Sequence, residues 1–164
     1  MAIIASDIKV YLSGGAGNAV PSASLGGAIS ATELTDNSLH NLFDIVGSSE
    51  ASAGDIEYRC LYVKNTHGTL SWQSAKAWIS TQSTTTVSIA LVTEGLNGVA
   101  STKANESTVP GETFTTPVSE GTGLSLGTMA PGDFFGVRVR RTVPSSQAAV
   151  NDTAVLSFKG DTAA

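Results

Sequence analysis

Residues 123–127, Gly-Leu-Ser-Leu-Gly, have the G-x-S-x-G spacing in which a serine on a tight strand-to-helix turn presents its hydroxyl as a nucleophile. The context rejects that chemistry here. Thr-Met-Ala-Pro-Gly over 128–132 cannot start a good helix, and both histidines, His40 and His67, precede Ser125, so the chain order serine, acid, histidine is impossible. Gly15-Ala16-Gly17 has the first glycines of a dinucleotide-binding loop, but Val20 stands where the third glycine belongs and Pro21 argues against an immediate helix. Two histidines far apart and the single Cys60 do not make a zinc site. Glu50, Asp55 and Glu57 lie close in sequence, yet the ordinary reading is a solvated strand end rather than a calcium site. No nucleophile, base and orienting group can be assembled, so the expectation is a non-enzymatic protein without catalytic residues, metal or cofactor.

Binding is the remaining chemistry. Arg138, Arg140 and Arg141 form a basic knot in a chain of net charge -5. Their ordinary role is local pairing with acids, and the alternative is docking against an acidic neighbour. Trp72 and Trp78, six residues apart, share a face if their strand is continuous. With Tyr62 they would make the stacking platform of a carbohydrate-binding module; core packing is the ordinary role. Nucleic acid is disfavoured as a partner, because the acidic balance does not concentrate Lys and Arg. No run of about 18 apolar residues exists, so no membrane helix is expected. The N-terminus lacks a signal-peptide pattern, since Asp7 and Lys9 interrupt it early, and the sequons Asn105-Glu106-Ser107 and Asn151-Asp152-Thr153 are then chance matches.

These side chains must be positioned by strands. The stretch 54–65, GDIEYRCLYVKN, keeps a period close to two and is rich in residues that suit a pleated surface. It predicts a central strand with Ile56, Tyr58, Cys60 and Tyr62 on one face and Glu57, Arg59, Leu61 and Val63 on the other, both covered over its second half. Cys60 is expected to be a buried small hydrophobe. Further strands are predicted over 7–12, 39–46, 75–80, 85–92, 124–126, 133–141 and 153–159. Residues 133–141 place Phe135, Val137 and Val139 opposite Phe134, Gly136, Arg138 and Arg140. Residues 16–38, made of Gly, Ala, Ser and Asn around Pro21, read as a long loop too poor in large apolar side chains to form core. Residues 47–54 read as a Ser/Ala turn and 144–151 as a polar connection. With 164 residues, about eight short strands and turn signals between them, the chain is expected to be a single all-β domain, a β-sandwich or jelly-roll-like barrel of antiparallel strands with long Gly/Ser-rich loops.

The segments DIKVYLSGGAGNAVPSASLGG (7–27), GDIEYRCLYVKN (54–65), AKAWI (75–79) and APGDFFGVRVRRTVP (130–144) together resemble small virion structural proteins of tailed bacteriophages. The similarity runs over most of the chain. It implies a non-enzymatic protein made in the host cytoplasm and placed in the virion, best as a head decoration (cement) protein on the outer head surface. Its partners would be the major capsid protein and copies of itself, as a homotrimer; a neck, tail or baseplate protein is the alternative. On that basis the N-terminal arm (2–6) and the extended loop (13–38) would order on neighbouring subunits. The candidate interface residues are then Ile3, Ile4, Val20, Pro21 and Leu25, with Arg138, Arg140 and Arg141.

Overall fold

The structure is a computed structural model that describes residues 2–83, 86–146 and 153–162. Eight strands run β1 (Ile8–Ser13), β2 (Ile29–Glu33), β3 (Asp55–Asn65), β4 (Trp72–Gln82), β5 (Thr86–Leu96), β6 (Leu124–Met129), β7 (Phe134–Val143) and β8 (Ala154–Thr162). They form a five-stranded sheet ordered β2-β1-β3-β7-β5 and a three-stranded sheet ordered β6-β4-β8, with every pairing antiparallel. The fold is the all-β sandwich expected from the alternation. β3 lies at the centre of the larger sheet, as its composition demands.

Alternation on each strand fixes which side chains meet. Leu12, Leu61, Val63, Val87, Ile89, Val137 and Val139 project from the large sheet onto Trp72, Ala77, Ile79, Leu126 and Met129 of the small one, and this is the main core. The opposite face of the large sheet is also dry. Cys60, Tyr62 and Val92 pack there with Ala100, Ile29 and Phe134, beneath connecting segments rather than a third sheet. β3 is therefore buried on both faces from Glu57 onward, earlier than its sequence suggests. One seam is laced shut: Ile89 and Thr115 exchange both backbone hydrogen bonds, at 2.8 and 2.9 Å, and Ile79 N–H donates to Pro117 O at 2.8 Å.

Four local expectations are corrected. Within 16–38, expected to be loop throughout, Pro21–Ala23 forms a 3-10 turn and Ile29–Glu33 is β2, paired with β1. Residues 39–46 are not a strand; they form an irregular strap in which Leu42 and Phe43 reach the core while Leu39 and Ile45 stay exposed. The expected turn at 47–54 contains a short helix, α1 (Ser48–Ala53). Trp72 and Trp78 do not share a face. β4 gains an extra residue relative to β8 between Gln73 and Lys76, with Ser74 in the left-handed region at φ 51°, and a bulge of this kind inverts the alternation beyond it. The expected strand start at Thr85, and the parts of the 144–151 connection and the 151–153 sequon that fall within 147–152, lie outside the described residues.

Gly136 is set by close packing across the outer face. A Cβ there would stand 2.7 Å from Val92 Cγ2 and 3.1 Å from the Tyr62 ring, and Val92 is too stiff to yield. Gly136→Ala is expected to lower stability by about 1–3 kcal/mol in urea unfolding, as overpacking of a tight core does.

Candidate functional site

The charged residues that the sequence offers for binding are drawn instead into the fold. On the core side of the large sheet, Glu57 on β3 stands opposite Arg141 on β7, two residues from Arg59. Its carboxylate accepts from Arg141 Nη2 and lies 3.4 Å from Arg59 Nη2. Arg59 donates outward to Glu106 Oε2 at 2.8 Å, and Arg141 to Asp44 O at 2.6 Å. Both guanidinium groups lie over the Phe43 ring, their central carbons 5.1 and 4.9 Å from its centroid. Only 1–3% of the side chains of Arg59 and Glu57 is exposed. A buried charge is tolerated when paired and hydrogen-bonded, so this cluster fixes the strap and the 105–108 turn onto the sheet.

The other face has its own anchor. Arg138 donates through Nε to Glu112 Oε1 at 3.1 Å, through Nη1 to Leu25 O at 3.0 Å and through Nη2 to Ser101 O at 2.6 Å. The Tyr62 hydroxyl donates to Gly27 O at 2.7 Å and accepts from Ala100 N–H at 2.8 Å. Gly27 N–H in turn reaches Ala100 O at 2.7 Å, and Cys60 N–H reaches Ser24 O at 2.7 Å. Segments 24–28 and 99–112 are thus joined to each other and to the sheet. Arg140, between the two anchors in sequence, donates to Ser88 Oγ at 2.8 Å and lies over Phe114, whose ring meets Tyr58 edge-on. Burial pushes the Cys60 thiol up to about 11 and the Tyr62 phenol up to about 12, so both stay protonated at neutral pH.

Several sequence expectations are revised by this geometry. Arg138 and Arg141 are buried and committed within the chain, on opposite faces of β7, so they do not form a docking knot with Arg140. Leu25 and Pro21 are partly buried in a loop docked on its own sheet, while Val20 is exposed at the loop's rim. In the arm, Ile3 packs against the core and donates to Thr162 Oγ1 at 2.9 Å, and Ile4 is exposed. Glu57 is no solvated strand end. Trp72 and Tyr62 are buried on opposite sides of the large sheet, and Trp78 lies on the far face of the small one, so the stacking platform is not assembled.

Ser125 is exposed on β6, while His67 accepts two backbone N–H groups through Nδ1 in the turn after β3. Among the described residues no three His, Cys, Asp or Glu side chains are grouped to hold a metal ion. Two open depressions mark the surface. One of about 530 Å³ is lined by Gly54, Ile56, Tyr58, Val109 and Val143, and one of about 220 Å³ by Pro21, Leu34, Leu39 and His40. Sequence reasoning missed Glu106, Glu112, Asp44 and Phe43. The available signal was Arg59 in the middle of a buried strand, a position that obliges distant acceptors to exist.

Arg138→Met removes the partner of buried Glu112 and the bonds to Leu25 O and Ser101 O. A loss of about 3–5 kcal/mol is expected in urea unfolding, with part of it recovered by adding Glu112→Gln. Burial outweighs the attraction of Arg141 and Arg59 and raises the Glu57 pKa from its ordinary place in the carboxylate range. The folded state then holds this proton more tightly than the unfolded chain. Folding is favoured below that range, and this share of stability is lost as pH climbs through the raised value. Stability measured from pH 4 to 7 is expected to lose that downward component in Glu57→Gln. No protein-family model matches the chain, and no match was found among curated proteins or solved structures.

Proposed function

We propose that the protein is a non-enzymatic structural component of a tailed-bacteriophage virion, and within the virion a decoration (cement) protein of the outer head surface. Its partners are the major capsid protein and copies of itself, arranged as a homotrimer. The observation that carries this is the resemblance of four segments, 7–27, 54–65, 75–79 and 130–144, to such proteins. Those segments supply β1 with the loop after it, β3, part of β4, and β7, which are the framework of the sandwich.

The disposition of charge is in keeping with this role. Of nine Lys and Arg residues, Arg59, Arg138 and Arg141 are buried, and they occupy Glu57, Glu106, Glu112 and Asp44. The surface is left largely to Ser, Thr, Gly and Asn, which form close hydrogen-bonded contacts with little ion desolvation. Ile4, Val20, Leu39, Ile45, Val109 and Val118 are exposed and all lie outside the strands. Apolar side chains carried on connecting segments suit many modest contacts repeated over a lattice, where geometry multiplies their effect.

The test is to mix purified protein with phage heads that lack it, pellet the heads and count bound copies. Saturation at a fixed ratio to the major capsid protein, with added resistance of the heads to heat or chelator, is the expected result. Absence of binding to heads, with binding to isolated tails, would transfer the assignment to the neck or tail.

A further inference from the structure

Among the described residues the two sheets leave four outer edges, and three are protected. Beside β2, Ala31 N–H donates to Ala16 O at 3.2 Å and the Ser30 hydroxyl to Asn18 O, so the 16–18 segment lies along that edge. β5 is joined to Thr115 at Ile89. β6 has six residues and is kinked at Gly127, whose φ is 76°. β8 is different. It runs nine residues without proline or positive φ, and the extra residues of the β4–β8 ladder all fall on β4. No backbone group of another described segment bonds to its backbone outside that ladder. A long, regular, unprotected edge is a template for another strand.

The charges beside this edge are even in number within one copy but unevenly paired. Lys159 stands opposite Lys76, a like-charge pair that destabilises a ladder. A single residue answers both ammonium groups: Lys159 Nζ lies 2.7 Å from Glu120 Oε2, and Lys76 Nζ donates to Glu120 O at 3.3 Å. Asp161 is exposed on the same face of β8 as Lys159 and makes no ion pair with a described residue.

We propose that residues 158–162 of β8 pair antiparallel with the same residues of a second copy, about a two-fold axis at Gly160, joining two three-stranded sheets into one of six strands. In this register Lys159 of each copy faces Asp161 of the other, on one side of the sheet. Each copy brings Lys76, Lys159, Glu120 and Asp161, so the seam is neutral. A register centred on Phe158 would set Lys159 against Ser157 and Asp161 against Val155, leaving Asp161 of each copy without an ion pair. The contact is isologous, rests on the sheet edge alone, and is independent of the virion assignment.

Sedimentation velocity over a concentration series, in low salt, tests this with Lys159→Asp, Asp161→Lys and their equimolar mixture, after circular dichroism has confirmed that both variants fold. Wild type is expected to self-associate. Each variant alone places two like-charge pairs across the seam and is expected to associate about ten-fold more weakly or worse. In the mixture the two substituted side chains face each other across the seam, as do the two native ones. Both contacts then join opposite charges, and association is expected to recover. Wild type that stays monomeric at the highest attainable concentration would overturn the pairing. So would association that ignores both reversals, which is the outcome for another register or another surface.

Discussion

A guanidinium group out of reach of water must find acceptors inside the chain, and this constraint shapes most of the molecule. Arg59, Arg138 and Arg141 rise from two neighbouring strands at positions that are 1–7% exposed. Bare, each would be among the most costly groups a fold can bury. Their acceptors therefore come from segments far away in sequence: Glu106 and Asp44 on the core side, Glu112, Leu25 and Ser101 on the other. The connecting segments are held down by what they must supply to β3 and β7. The large sheet is consequently covered on both faces, although only one face meets a second sheet.

What is left outside follows from what is turned in. Charged residues are 14% of the chain, and Arg59, Arg138, Arg141, Glu57 and Glu112 meet beneath the surface. The exterior is largely uncharged polar, with exposed ion pairs such as Lys9–Glu33 and Lys159–Glu120 and single apolar side chains on the strap and turns. Such a surface has little to steer a highly charged ligand, and it suits close packing against other protein surfaces. The four sheet edges continue the same division. Among the described residues β2 and β5 are laced by the chain's own segments, β6 is short and kinked, and β8 carries an Asp161 without an ion pair that a second copy can match.

Strands whose side chains alternate were legible without the structure. β3, β7 and β8 show it, because period two in large residues leaves few other ways to bury them. β2 was not legible, since Ile-Ser-Ala-Thr-Glu has little to bury, and the segment is a strand because β1 offers it a ladder. The run Leu42, Phe43, Ile45, Val46 looked like a strand, yet Phe43 is drawn to two guanidiniums that sequence cannot place beside it. The pair Trp72 and Trp78 was misjudged because one extra residue at Ser74 reverses the side chains from Ala75 to Ile79, and nothing in Gln-Ser-Ala announces it. For the arginines, alternation along β7 already set Arg138 and Arg140 apart from Arg141. Their burial was not legible, because their acceptors lie 26 to 113 residues away in sequence.

The central claim is that the segments over the outer face of the large sheet belong to the folded body of a single copy. Amide hydrogen exchange in the isolated protein at low concentration tests this most directly, through the N–H groups of Gly27, Cys60, Ala100 and Lys103. Protection of all four on the scale of the β3–β7 ladder, and its loss at Gly27, Ala100 and Lys103 in Arg138→Met, is the expected result. Exchange at the rate of an open loop in the wild-type protein would contradict the account. The segments would then be held by something other than their own sheet.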